Sequence, residues 1–202
     1  MPVMRNERFF IITGPEGAGK TTLVGRLAGR GVSTVIESTR DVWIYQESIG
    51  GRCLPFSPER TYWQKMAYFE MALAFDMRSY TEAGSLPAGP VIFDRGIPDI
   101  IVFLEYSKLP VQTHVKKAAE IYRYNPVVFL APFWQDIYET DPQRTSTPFE
   151  AASQQALCER TYSLLGYDVI TLPLVSVDER ADFILEHIRP DQDIRSPLRA
   201  VS

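Results

Sequence analysis

The chain has 202 residues, 45% of them hydrophobic and 23% charged, with a formal net charge of −4. Those values describe one globular domain with a real core and exclude a disordered chain, while the acidic balance argues against a general nucleic-acid partner, which needs a basic surface. No apolar run approaches the roughly 18 residues of a membrane span. The polar start MPVMRNER does not read as a signal peptide, so no membrane partner is expected and the cytoplasm is the default location.

Along the chain, apolar runs of strand length alternate with helical patterns, as in a parallel sheet covered by helices on both faces. The first run, Phe9 to Thr13, leads directly into Gly14, Pro15, Glu16, Gly17, Ala18, Gly19, Lys20, Thr21 and Thr22. This is a full G-x-x-x-x-G-K-[ST] match. Its glycines let the backbone curl so that successive N–H groups face the β- and γ-phosphates of a nucleotide. Lys20 places a point charge between those phosphates, and the Thr21 hydroxyl is a magnesium ligand. A helix carrying Leu23, Leu27 and Ala28 follows and aims its positive end at the same place. The residues from Gly14 to Thr22 are therefore the expected site for ATP with Mg2+.

The second run, Thr34 to Glu37, closes on Ser38-Thr39-Arg40. Ligands of doubly wound sheets bind across the carboxyl ends of the strands, so Glu37 should face the phosphate site. A carboxylate there can take a proton from an attacking hydroxyl or hold magnesium through water; it can equally be an acid stabilising the next helix. Arg40 is a candidate clamp for an anionic substrate, or a surface arginine. Gly50-Gly51 and Pro55 mark a connection, after which Ser57-Pro58-Glu59 opens a long helix with Tyr62, Met66, Phe69, Leu73, Met77 and Tyr80 at helical spacing and Gly84 as its stop.

The third run, Pro90 to Asp94, ends in Asp94-Arg95-Gly96. A carboxylate closing a buried strand is where magnesium is held opposite the phosphate loop, and the adjacent Arg95 can reach phosphate or substrate oxygens. A helix cap would explain Asp94 alone but not the arginine. After the fourth run, Val127 to Ala131, the segment 138–146 combines turn formers with Arg144. It is the candidate lid, and Arg144 its charge-stabilising finger; the plain alternative is a helix–helix connection. Capping boxes at Thr147-Pro148-Phe149-Glu150 and Ser176-Val177-Asp178-Glu179 open two further helices, the first stopping near Gly166. The fifth run, Asp168 to Leu172, lies between them. Residues 1–190 form the expected domain and 191–202 a polar tail. Of the aromatics, Trp43, Tyr45, Trp63, Tyr68, Phe69, Phe75, Phe133 and Trp134 suit packing at most positions and stacking on a ring at a few. Cys53 and Cys158 support neither a disulfide framework nor a metal knuckle.

With these residues in place the chain resembles the AAA-type predicted ATPase/kinase family of small P-loop proteins, related in layout to nucleoside and nucleotide kinases. The resemblance runs from about residue 8 to 188, through "FFIITGPEGAGKTTL", "VIESTRDVW", "VIFDRGIPDIIVFLE", "RYNPVVFLAPFWQDIYETDPQRT" and "LGYDVITLPLVSVDERADFIL". It implies a three-layer α/β/α P-loop NTPase fold with a five-stranded, mainly parallel sheet in the order 2-3-1-4-5. It also implies that Glu37 serves as base or magnesium partner, that Asp94-Arg95 serves magnesium and phosphate, and that the loop from Leu172-Pro173 to Val175 borders the adenine. The length leaves no room for the helical lid domain and sensor elements of motor ATPases, and there is no N/T-K-x-D guanine-reading motif.

The expected function is magnesium- and ATP-dependent phosphoryl transfer to a small-molecule acceptor, with Lys20, Glu37, Asp94, Arg95 and Arg144 as catalytic residues, Arg40 on the substrate, and Thr21 and Asp94 on the metal. Two alternatives share the donor site: an NTP-hydrolysing switch with a protein partner, and a toxin-like kinase of a nucleotide-sugar precursor. Neither the acceptor nor the oligomeric state is legible in the sequence.

Overall fold

In the computed structural model, which describes residues 2–51, 60–135 and 147–188, every side chain of Phe9–Thr13 is buried. A strand covered on both faces needs apolar side chains at odd and even positions alike, and FFIIT supplies them. Phe9 and Ile11 join one core cluster, with Val91, Phe93 and Val128; Phe10 and Ile12 join another, with Ile92 and Phe129. The alternation is the two-residue period of a strand, and fully burying each such side chain contributes about 1.5–3 kcal/mol.

This strand, β2, lies at the centre of a wholly parallel five-stranded sheet. The order is β3 (Ser33–Val35), β4 (Val91–Asp94), β2, β6 (Val127–Leu130) and β7 (Asp168–Thr171). Counted along the chain this is the 2-3-1-4-5 order that the resemblance implied. A separate parallel pair joins β1 (Met4–Arg5) to β5 (Tyr122–Arg123).

Helices α1 (Lys20–Gly29) and α7 (Val177–Ile188) pack over one face through Leu23, Leu27, Ala181 and Ile184. The other face is covered by α3 (Tyr62–Ala83), α4 (Ile97–Tyr106) and α5 (Thr113–Ile121), flanked by α2 (Ser38–Ser48) and α6 (Pro148–Leu164). The boxes at Thr147 and Ser176 form as expected: Glu150 accepts from the Thr147 N–H and Glu179 from the Ser176 N–H. Gly84 caps α3.

Three differences from the sequence reading bear on the site. Strand β3 ends at Val35, where its pairing with β4 runs out, so Glu37 is not a strand residue but the N-cap position of α2. Helix α3 starts at Tyr62 with Thr61 and Gln64 as its capping box; Ser57-Pro58-Glu59 lie outside the described residues. Helix α4, which the sequence reading did not mark, has residues 97 to 104 all buried. The proposed lid at 138–146, Arg144 within it, and the tail from 191 also lie outside the described residues. Among those described, no helix is long and apolar enough to cross a membrane.

Candidate functional site

The glycine loop takes the shape its composition permits. Gly14 has φ 138° and passes so close to the end of β6 that a Cβ would lie 2.2 Å from the Ala131 carbonyl oxygen. Gly17 and Gly19 are left-handed as well, with φ 74° and 77°. Gly19 is the N-cap of α1 and supplies no side-chain cap, so the first-turn N–H groups and the positive end of the helix face the loop's interior. Lys20 is 6% exposed, and its ammonium donates to the Pro15 carbonyl at 2.6 Å. Burial, and then the Arg95 charge, lowers the Lys20 pKa to about 8, against the opposing pull of Asp94 and Glu37.

Two long-range contacts brace this loop, and sequence reasoning missed both. Gln154 of α6 accepts from the Glu16 N–H at 2.9 Å. Arg180 of α7 donates to the carbonyls of Ala18 (3.2 Å) and Pro173 (3.0 Å), with its guanidinium 5.0 Å from the centre of the Trp134 ring. Gln154 sits on a helix with no marked apolar face and Arg180 on an amphipathic one, and neither residue type at its position carries a local signal of such a contact.

Asp94 closes β4 at 2% exposure and faces α1, where its Oδ2 accepts from the Thr21 hydroxyl at 2.9 Å. Its other oxygen, Oδ1, is buried without a hydrogen-bond partner. Burial raises its pKa, the neighbouring Glu37 charge adds to the shift, and Lys20, Arg95 and the Thr21 hydroxyl oppose it. An orphaned carboxylate oxygen beside a hydroxyl fits a hard, oxygen-seeking cation. Magnesium at a nucleotide takes only one or two protein oxygens and completes its shell with phosphate and water. Thr21 and Asp94 are the residues that would hold it.

Beside this pair stands a buried ion cluster. Arg95 has φ 70°, a left-handed backbone that costs a non-glycine residue about 1–3 kcal/mol and recurs at functional sites. Its Nε donates to Glu37 Oε1 at 3.0 Å, its Nη1 donates to Asp99 Oδ1 at 3.1 Å, and its guanidinium lies 4.7 Å from the centre of the Phe103 ring. Glu37 also accepts from the Thr39 hydroxyl. Burial pushes the Glu37 carboxyl up, but the charges of Arg95, Lys20 and Arg40 together with the Thr39 bond outweigh it and hold the pKa below its usual value. For Arg95 the cost of burial is likewise overcome, by Glu37 and Asp99, and its pKa is raised. The sequence marked Glu37 and Arg95 but gave Asp99 no role.

Glu16, Gly17, Gly19, Lys20, Thr21 and Thr22 form one wall of a cleft enclosing about 770 Å³ including its open side. Glu37, Arg40, Trp43, Tyr68 and Arg95 line the same cleft. Gly14, Pro15, Ala18 and Asp94 stand behind it rather than in its lining. Tyr68 is fixed by donating to the Thr39 carbonyl at 2.7 Å, while Arg40 is exposed. Tyr45 and Trp63, which were candidates for packing, are instead 56% and 76% exposed. Of the candidate site residues, the cleft thus gathers Glu16, Gly17, Gly19, Lys20, Thr21, Thr22, Glu37, Arg40 and Arg95, and Asp94 joins it through Thr21; Arg144 lies outside the described residues.

A sequence search of curated proteins finds no match. Among solved structures, shikimate kinase from Acinetobacter baumannii in complex with shikimate is similar over 92% of this chain and 93% of its own, at 15% identity and a TM-score of 0.53. Deoxyadenosine kinase from M. mycoides, with dCMP and dCDP bound, is similar over 89% of this chain and 97% of its own, at 14% identity and a TM-score of 0.62. NadR in complex with NR is similar over 93% of this chain but 53% of its own, at 17% identity and a TM-score of 0.64; the chain spans about half the length of that protein. At these identities the likeness is one of fold. The family profile described as an AAA domain matches residues 9–180, from the strand before the glycine loop to the arginine that braces it. The chain belongs to the AAA domain family, as a P-loop protein of the ATPase or phosphotransferase kind.

Proposed function

We propose that this protein is a kinase that transfers the γ-phosphate of ATP to a hydroxyl or phosphate group of a small-molecule acceptor. One observation carries the reading: Glu37, kept ionised by Arg95, lines the same cleft as Lys20 and Thr21. A switch has no need of both an ionised carboxylate and a pocket for an acceptor beside the donor site. Trp43 gives the mostly polar cleft an aromatic side chain that suits a ring-bearing acceptor. Solved relatives of this fold hold shikimate and deoxynucleotides, small molecules of matching scale.

On this reading the glycine loop and Lys20 hold the triphosphate, and Thr21 with Asp94 would hold magnesium, which neutralises charge on the β- and γ-oxygens when bound. Glu37, rather than the more deeply buried Asp94, takes the proton from the acceptor hydroxyl as its oxygen bonds to the γ-phosphorus and ADP departs. Arg95, and Arg144 from the segment outside the described residues, offset the charge on the group in transit; Arg40 orients the acceptor. Phosphoryl transfer depends on positioning and electrostatics, so Lys20→Ala should lower the rate of ADP formation by about 10²–10⁴. Glu37→Gln should slow acceptor-dependent turnover by about 10²–10⁴ while leaving ATP binding in place. Both are read on a panel of nucleosides, vitamins and sugars scored for acceptor-stimulated ADP release. A rate indifferent to every acceptor would favour the switch reading, and a wild-type rate in Glu37→Gln would remove its role as base.

A further inference from the structure

Asp99 sits in the first turn of α4, is 1% exposed, and does not line the cleft. Its carboxylate nevertheless accepts four hydrogen bonds. Oδ2 takes the Gly96 N–H at 3.0 Å and the Tyr162 hydroxyl at 2.6 Å; Oδ1 takes the Thr13 hydroxyl at 2.7 Å and Arg95 Nη1 at 3.1 Å. Helix capping accounts for the Gly96 bond, since an acid three residues into a helix commonly reaches back to its first N–H. It does not account for Oδ1. That oxygen joins the last residue before the glycine loop to the guanidinium at the cleft wall.

The charge count shows what this link can do. Arg95 is a buried cation balanced by two carboxylates, and the two differ in their surroundings: the side chain of Asp99 is 1% exposed and that of Glu37 20%. A carboxylate that accepts a proton during turnover stops balancing its arginine at that moment. A buried arginine left without an anion is strongly unfavourable and would shift or recruit water. Asp99, walled off from the cleft, is out of reach of that exchange.

We infer that Asp99 is a positioning residue for phosphoryl transfer: it anchors the Arg95 guanidinium at the cleft wall while Glu37 exchanges its proton, and keys that pose to the strand carrying the glycine loop. The inference rests on the reading that Arg95 meets the transferred phosphate. Thr13 supplies the register, because its hydroxyl ties Asp99 to β2 one residue before Gly14. The Phe103 ring also lies against the guanidinium, so Arg95 is held at three points, of which Asp99 is the carboxylate that does not line the cleft.

The test is a double-mutant cycle read by steady-state ADP formation from Mg-ATP, with and without acceptor. Asp99→Asn keeps the shape and removes the charge; it should lower kcat by about 10–100-fold, with the KM for ATP changed less than about threefold. In an Arg95→Met background the same change should cost almost nothing further, because the group it positions is gone. Tyr162→Phe removes one Asp99 bond without touching Arg95, and should lower the melting temperature with kcat within about twofold of the parent. Equal losses for Asp99→Asn in both backgrounds, or a kcat loss in Tyr162→Phe matching that in Asp99→Asn, would overturn the inference and leave Asp99 a fold-stabilising acid. Should Asp99→Asn fail to fold, Thr13→Val replaces it in the same cycle. A smaller kcat loss that vanishes with Arg95→Met is then expected, and independent losses overturn it. ADP formation in water alone still reports the Asp99–Arg95 coupling, whereas lack of acceptor stimulation counts against the kinase reading and not against this one.

Discussion

Arg30 and Arg95 each sit between two carboxylates, one on the surface of the molecule and the other inside it. Arg30 straps α1 to α7 through Asp178 at 2.7 Å and Asp182 at 2.5 Å; the three side chains are 26%, 50% and 62% exposed. Arg95 meets Glu37 at 3.0 Å and Asp99 at 3.1 Å with side chains 5%, 20% and 1% exposed. The surface cluster has the shorter contacts and the smaller consequence, because water and salt screen it and its long side chains lose entropy on pairing. The inner cluster has given up its hydration, so each member depends on the others remaining in place. Distance alone ranks the two clusters in the wrong order; burial ranks them correctly. The same burial makes the inner cluster useful, since it lets one arginine set the charge state of Glu37 at the cleft wall.

Removing each arginine is the most direct way to break this comparison. Arg95→Met should destabilise the fold by about 3–5 kcal/mol, as it strands two carboxylates in the interior, and urea denaturation measures it. An effect no larger than that of a surface substitution would show that water reaches the cluster and that the contrast is false. Asp76 offers a sharper probe of the interior. It lies on α3 beside the cluster, and burial, with Asp99 and Glu37 adding, raises its pKa to about 7 against a hydrogen bond from Ser38 and the charge of Arg95. Its folded-state pKa lies above the unfolded value of 3.8, so the stability it contributes is complete below about pH 4 and lost by about pH 7. Asp76→Asn should therefore flatten the fall in melting temperature between about pH 5 and pH 7, and an unchanged slope would mean that Asp76 ionises as it does in water. The smallest effect belongs to the surface: Arg30→Ala should leave the melting temperature within about 2 °C of the parent, followed by circular dichroism. A loss approaching that of Arg95→Met would end the comparison from the other side.

Much of the site was readable where its chemistry is local. On the proposed reading the loop from Gly14 to Thr22 acts through its own backbone and its own Lys20 and Thr21, so spacing along the chain is spacing in space. Asp94 and Arg95 were readable for a similar reason, as the end of an apolar strand marks the edge of a parallel sheet. Glu37 lines the cleft, although the strand expected to carry it stops two residues earlier, at Val35: Ile36 is 63% exposed and unpaired by the sheet. Helix α4 was not marked, since "IPDIIVFL" is a short, nearly continuous apolar run that is as compatible with a buried strand as with a buried helix.

The five strands, their parallel order and the phosphate loop follow from short-range patterns and from a family layout that those patterns identify. The bracing of the loop and the anchoring of Arg95 follow from neither. Glu16 meets Gln154 across 138 residues, Ala18 meets Arg180 across 162, and Thr13 meets Asp99 across 86. A glutamine, an arginine or an aspartate on a helix has the same local signature whether it faces water or a buried partner. Only the packing of α4, α6 and α7 against the carboxyl edge of the sheet selects among those outcomes, because the desolvation that gives these side chains their effect exists only once the tertiary structure has formed.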